Sequence, residues 1–311
     1  MSAAVVRRPA TAVLVPVLLV LALVLPACAR GQRPITAAEL DRSITVASFN
    51  FAESALLGEV YALALADAGF PVDRQLRLGA REIVQPALQQ GMVDLVPEYA
   101  GSALSFLAPE APAVTDVRSA RAVLELAYAP HGVEVLEPAV AENQNGFVVR
   151  RETAASLGLR ALSDLAPVAG ELTFGGPPEC PTRRLCLGGL RDVYRIEFGE
   201  VQGLDSGGPL TLAALYGGRV DVALVFTSSG ALASNDLVVL EDDRDLQPAE
   251  NIVPMLRRAV VDRHGEEVRR VVDAVTERLH PEALVDLNRR LDRGEATADV
   301  AAGWLASNNL R

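Results

Sequence analysis

The sequence contains no lysine: all 29 basic residues among its 311 are arginine, set against 40 aspartates and glutamates. A formal charge of −11 argues against a nucleic-acid surface and gives at most a weak pull on cationic ligands. Histidine is scarce, limited to His131, His264 and His280, and there are only three cysteines. Cys180 and Cys186 in "CPTRRLC" have the wrong spacing for a redox CxxC pair, and no neighbouring ligands suit zinc. A local disulfide bracing a loop is expected of them, as in an oxidising compartment, and no metal or cofactor is expected. Beyond the N-terminal region no segment is a plausible membrane span.

That N-terminal region, "MSAAVVRRPATAVLVPVLLVLALVLPAC", places Arg7 and Arg8 before an uninterrupted apolar run, the layout of an export signal. Its ending, Leu25-Pro26-Ala27-Cys28, resembles a bacterial lipoprotein box with Pro26 as a departure at the middle position. The resemblance implies a signal peptide over 1–27, lipid on Cys28, and a tether over 28–42; an ordinary secretory signal or a membrane-spanning helix is the alternative. Removing the first 27 of 311 residues leaves 284, and loss of Arg7 and Arg8 moves the charge from −11 to −13. This is enough chain for two lobes with their own cores.

From Ser43 the pattern reads as an α/β protein. "SITVASF" alternates like a strand, and "NFAESALLGEVYALALADAG" switches to helical spacing through Leu56, Leu57, Val60, Tyr61 and Leu63. Asn50 and Glu53 form a candidate capping box, and Gly69 followed by Pro71 a stop. "VDRQLRL" is the next strand and "REIVQPALQQ" a helix closed by Gly91, so strand and helix alternate as in a parallel sheet with crossover helices. The pattern restarts after Arg150 with "ELTFGGP", a cysteine loop, "GGLRDVYRI", the helix "LTLAALYGG" and the strand "VDVALVF". "DLVVLEDDRDLQPAENIVPMLRRAVV" returns to extended chain, and three apolar-striped helices follow, expected to pack on the first lobe. The expected organisation is lobe 1 over 43–141 plus 245–311 and lobe 2 over 142–244, with the chain crossing twice.

One phrase is written in both halves. "GMVDLVPEYAG" (Gly91 to Gly101) and "GRVDVALVFTS" (Gly218 to Ser228) share a glycine, a Val-Asp pair, an apolar run and an aromatic, with Tyr99 opposite Phe226. Asp94 and Asp221 fall at strand beginnings and read as turn-satisfying acids. Tyr99 and Phe226 fall at the strand ends, where ligands of open α/β sheets bind beside helix N-termini. The loops after Phe49, Leu78, Pro97, the crossing and Val225 should therefore line a cleft, bringing in Phe49, Asn50, Gly79, Arg81 and Thr227.

The motifs "ITVASFNFAESALLGEVYALAL", "LGAREIVQPALQQGMVDLVPEYAGSAL", "GGPPECPTRRLCLGGL", "LTLAALYGGRVDVALVFTSSG" and "LVVLEDD" resemble the substrate-binding proteins of osmoprotectant ABC transporters, the glycine betaine, choline and carnitine group. The resemblance implies a type II periplasmic-binding-protein fold with two α/β lobes around a ligand cleft and two crossing segments. It also implies a non-enzymatic protein that captures a small solute outside the membrane and hands it to a permease. The chain has no Walker A motif, so the ATPase is expected to be a separate subunit.

Members of that family hold a quaternary ammonium group in a tyrosine cage, where ring faces supply cation–π attraction of roughly 0.5 to 2 kcal/mol each. Carried onto this chain, Tyr99 matches one cage position and Phe226 another, while Asn145 and Leu212 stand where tyrosines are expected. Two aromatics do not make a cage, and a larger, more polar or aromatic solute held by Asn145 and Arg81 is the alternative; Phe147 is the alternative to Asn145 at the crossing strand. Arg81 either binds a ligand carboxylate or pairs with Glu82, Glu98 or Glu53. Asn50 caps its helix, orients an anionic group, or both.

Three other readings compete. "GLDSGGP" echoes a serine-protease motif and nominates Ser206, but that chemistry needs a positioned histidine, and a glycine-rich connection before a helix explains the string. A sensory lipoprotein presenting ligand to a membrane receptor uses the same soluble sequence. An enzyme on this scaffold lacks an acid/base or metal constellation. The expectation is a monomeric solute receptor, lipid-anchored to the outer face of the cytoplasmic membrane.

Overall fold

The computed structural model describes residues 43–108, 114 and 116–311; the expected signal peptide, Cys28 and the tether lie outside the described residues. Among the described residues ten strands form two five-stranded sheets. The first holds β1 (Ile44–Phe49), β2 (Val72–Gly79), β3 (Leu95–Tyr99), β4 (Val133–Val135) and β10 (Ile252–Arg257) in the order β2-β1-β3-β10-β4. The second holds β5 (Asn145–Arg150), β6 (Thr173–Gly176), β7 (Glu200–Gly203), β8 (Val222–Phe226) and β9 (Leu237–Val239) in the order β7-β6-β8-β5-β9.

The two orders are one plan used twice. In each sheet three strands run parallel, and a strand from the other side of the crossing inserts antiparallel beside the third, β10 against β3 and β5 against β8. The repeated sequence phrase sits at the same place in both. Gly91 and Gly218 end their helices at φ 77° and 69°, a left-handed conformation that glycine adopts without steric cost. Asp94 Oδ2 accepts the Thr45 N–H at 3.0 Å, and Asp221 Oδ2 accepts the Thr173 N–H at 3.0 Å. Each aspartate thus joins the start of its strand to the neighbouring one, a bond across the sheet in place of the local turn bond expected of it.

Helix α1 (Ala52–Asp67) is apolar on nearly every side because it lies between the first sheet and the C-terminal helices; Leu56, Leu57, Val60, Tyr61 and Leu65 are all fully buried. Helices α2 (Arg81–Gln90) and α3 (Ala100–Leu107) follow β2 and β3, and α4 (Val117–Tyr128) precedes β4. In the second lobe α5 (Arg151–Leu157) and α6 (Pro209–Tyr216) flank the sheet. Its strands alternate: Phe147, Val149, Val222 and Leu224 pack into a cluster with Phe174 and the cystine, while Val148, Ala223 and Val225 pack under α6.

The chain ends in α7 (Arg258–His264), α8 (Glu267–Thr276), α9 (Pro281–Asp292) and α10 (Thr297–Ser307). Two expectations change here. Arg258 to Val261 are helical and not extended, because the strand ends at Arg257 and the buried pair Val260 and Val261 faces the core at helical spacing. The C-terminal helices do join the first core, but α9 also reaches the second lobe, where Asn288 Nδ2 donates to the Ser228 carbonyl at 3.1 Å. The crossings themselves pair: Asn143 N–H donates to the Glu250 carbonyl and Ile252 N–H to the Ala141 carbonyl. Among the described residues no helix is long and apolar enough to cross a membrane.

Candidate ligand cleft

Because both sheets end their parallel strands toward each other, the loops at those ends enclose a cavity of ≈ 260 Å³. That volume lies just below the roughly 300–1,000 Å³ of pockets for drug-sized ligands, and suits a small solute. β1 ends at Phe49 and turns through Asn50 and Phe51 into α1; β3 ends at Tyr99 and enters α3 directly; β8 ends at Phe226. All five residues line the cavity.

The wall is aromatic. The Phe51 ring lies 5.0 Å from Phe226, 5.8 Å from Tyr99 and 6.2 Å from Phe49, with which it stacks. Phe106, partly exposed, adds a fifth ring at the rim. Five aromatics thus line the cleft: the expected Phe49, Tyr99 and Phe226, joined by Phe51 and Phe106. Phe51 was missed because Asn50 and Glu53 were read as a capping box. In the structure the N-cap of α1 is Phe51 itself, with no side-chain cap. Glu53 instead turns inward to Tyr99 Oη, 2.7 Å away. The available signal was position: Phe51 stands in the strand-to-helix loop already assigned to the cleft.

Beneath the rings lies a buried charge network. Arg81 lines the cavity with its guanidinium 4.8 Å over the Phe49 ring, and its Nε donates to Glu98 Oε1 at 2.6 Å and Nη2 to Oε2 at 3.2 Å. Of its alternative partners, Arg81 takes Glu98. The fully buried Glu98 also accepts from Gln85 and from the Tyr99 N–H. Glu250, from the second crossing, accepts the Ser102 N–H at 3.0 Å and hydroxyl at 2.5 Å, and burial pushes its carboxyl up to about 7.

Asn145 also lines the cavity, donating through Nδ2 to the Leu185 carbonyl at 3.0 Å and to Gln247 Oε1 at 3.3 Å. Its alternative, Phe147, is buried in the second core against Phe174. Three predicted residues do not line the cavity. Gly79 holds the loop from behind, its carbonyl accepting the Asn50 N–H at 3.1 Å. Leu212 packs against the apolar cluster under α6. Thr227 is exposed, and its hydroxyl accepts the Gln144 N–H at 2.9 Å, which ties β8 to the crossing.

Cys180 and Cys186 are disulfide-bonded with Cα atoms 5.3 Å apart, and the loop they close lines the cavity from the second lobe. Its Arg183 Nη2 donates to both Glu82 oxygens at 3.0 and 2.9 Å, an ion pair from one lobe to the other at the mouth of the cleft. The loop is thus a wall of the cleft as well as the brace expected of its two cysteines. Ser206 lines the cavity too, without any histidine among the lining residues.

A family model, OpuAC, the substrate-binding domain of ABC-type glycine betaine transport systems, matches residues 42–307. The chain belongs to this family. An OpuAC-family protein is a solute receptor and not an enzyme, and this one is an extracytoplasmic solute-binding protein of an ABC importer with the type II two-lobed fold. It is 30% identical over 280 residues to a glycine-betaine-binding protein of Pseudomonas aeruginosa, covering 86% of this chain and 88% of that one. It is 24% identical over 254 residues to an ergothioneine transport permease/ergothioneine binding protein of Helicobacter pylori, covering 81% of this chain and 45% of that longer one. In fold it matches the crystal structure of a glycine betaine/carnitine/choline ABC transporter protein with a TM-score of 0.67 at 23% identity, covering 86% of this chain and 99% of that one.

Proposed function

We propose that the cleft captures a small quaternary-ammonium zwitterion of the betaine class, with Phe51 and Tyr99 from one lobe and Phe226 from the other against the cationic head. The observation that carries this is the meeting of Phe51 and Phe226 across the lobes at 5.0 Å, with Tyr99 beside them. A trimethylammonium group has no N–H to donate, so ring faces and exclusion of water are what can hold it. Asn50 and the first turns of α1 and α2 lie at the positive ends of helix dipoles and suit a carboxylate tail. Arg81 supports the Phe49 ring and does not act as a free carboxylate clamp. The glycine-betaine-binding relative favours the same class.

Signal peptide 1–27 is removed, Cys28 carries lipid, residues 28–42 tether a monomer to the outer face of the cytoplasmic membrane, and a separate permease and ATPase complete the importer. The lobes divide at 142 and 245, and the paired crossings form the hinge. Calorimetry of the purified protein with glycine betaine, choline, carnitine and ergothioneine tests the ligand class. Submicromolar to micromolar binding of one of them, abolished in Tyr99→Ala, is the expected result. Saturable heat from none of them removes the betaine reading and leaves the fold untouched. Preference for ergothioneine favours the second reading, a larger zwitterion with its own ring. That reading has support in Asn145, which places an amide on the cleft wall.

A further inference from the structure

Glu53 is a buried carboxylate, 4% exposed, whose four hydrogen-bond donors are all uncharged and come from four separate parts of the chain. Oε1 accepts from Tyr99 Oη at 2.7 Å and from Asn143 Nδ2 at 2.8 Å. Oε2 accepts from Ser228 Oγ at 2.5 Å and from Asn288 Nδ2 at 2.5 Å. Tyr99 is a cleft wall, Asn143 belongs to the first crossing, Ser228 lies two residues beyond Phe226, and Asn288 comes from α9. Nothing in the solute-receptor role requires a charge here. A neutral amide would fill the same space, and a buried carboxylate is costly to desolvate unless its charge is used or its donors hold it.

We propose that Glu53 makes the cleft prefer a cationic head over a neutral one of the same shape, acting through Tyr99. This rests on the betaine reading above. The mechanism is electrostatic. A phenol donating its O–H to a carboxylate carries more electron density on its ring, which strengthens the negative face presented to a cation. The carboxylate's own field adds to this in a low-dielectric wall where it is weakly screened. Burial and the neighbouring Glu53 charge hold the Tyr99 phenol well above its ordinary range, so it remains a neutral donor throughout physiological pH. Glu53 does not line the cavity; it is a positioning residue, and through Ser228 and Asn143 it also fixes the chain on either side of Phe226 and Asn145.

The test compares glycine betaine with 3,3-dimethylbutanoate, which replaces the ammonium nitrogen by carbon and keeps the carboxylate. Affinities of both are measured for the wild-type protein, Glu53→Gln and Tyr99→Phe. The expected result is that Glu53→Gln lowers the betaine-to-isostere preference about tenfold with isostere affinity within about twofold of wild type, the size of one lost cation–π-scale term. Tyr99→Phe, which removes one hydroxyl and guards against failure of the first variant to fold, should lower the same ratio in the same direction. An unchanged ratio in Tyr99→Phe, or parallel loss of both ligands in Glu53→Gln, overturns the proposal and reduces Glu53 to a strut, while leaving the betaine reading standing. A wild-type protein that binds betaine no tighter than the isostere overturns both.

Discussion

Phe51 touches rings from both lobes although it occupies a helix N-cap, a position that ordinarily favours a short polar side chain. A residue that forgoes a cap bond at the mouth of a cleft is better explained by what it touches than by the helix it starts. Phe51→Ala is expected to weaken ligand binding by about tenfold or more, the scale of one cation–π wall, with thermal stability falling far less in proportion. Leu212→Tyr is the contrasting case: its side chain points into the α6 cluster, so affinity should stay within about twofold of wild type, as for a change away from the site. A tenfold gain from Leu212→Tyr in titration calorimetry would show the ring reaching the cleft after all. At the same scale, Glu250 ionises at about 7 in the fold against an ordinary 4.5, chiefly through burial, with the Ser102 hydrogen bonds and then Arg81 opposing the shift and Glu98 reinforcing it. A folded pKa above the unfolded one means that the folded state holds more protons between these values. Its stabilising contribution is complete below about pH 4.5 and is lost as pH rises through about 7, a change of roughly 3 kcal/mol. Denaturant unfolding of Glu250→Gln should therefore lack that portion of the wild-type pH dependence. Identical slopes for both proteins across this window would refute it.

The disulfide loop shows how one element serves packing and binding together. Cys180 and Cys186 are both buried in the second core, yet the residues between them form the cleft wall that carries Arg183. Closing so short a loop is worth about 2 kcal/mol by chain entropy. Reduction, or replacement of both cysteines by serine, should lower stability by about that amount and speed ligand dissociation, because the released wall gains freedom on the cleft side. Stopped-flow release kinetics would check this; an unaltered off-rate with lowered stability would confine the bridge to packing. The composition of "CPTRRLC" made the bond legible, since two isolated cysteines in an exported chain have few other uses. It did not make the wall legible, because which face of a loop meets the other lobe depends on how the lobes close.

At the scale of the whole molecule, the contacts that join the lobes include the paired crossings, the Phe51–Phe226 ring pair, the Glu53 node beneath the cleft, and the Glu82–Arg183 pair at its mouth. The last is half-exposed on the Glu82 side and should contribute only about 0.2–1 kcal/mol, screened by salt. A double-mutant cycle on ligand affinity with Glu82→Gln and Arg183→Gln should return a coupling in that range at low ionic strength and near zero in molar salt. A coupling that ignores salt would mean that the pair acts through packing.

The sequence alone determined the repeated plan: glycines closing helices, aspartates at strand starts and aromatics at strand ends follow from backbone geometry and periodicity, which are local and recur wherever the same joint is built. It also determined that Tyr99 and Phe226 stand at strand ends, with Asn50 and Arg81 just beyond such ends. Only the tertiary structure decided that Arg81 spends its charge on Glu98, that Leu212 and Thr227 turn away, and that Phe51 and the cystine loop line the cleft. Those outcomes depend on partners 17 to 175 residues distant in the chain, as in Arg81 with Glu98 and Phe51 with Phe226 (226 − 51 = 175). Hydrogen bonds and ring contacts between such residues form only after both sheets have folded and approached one another, so no local pattern records them.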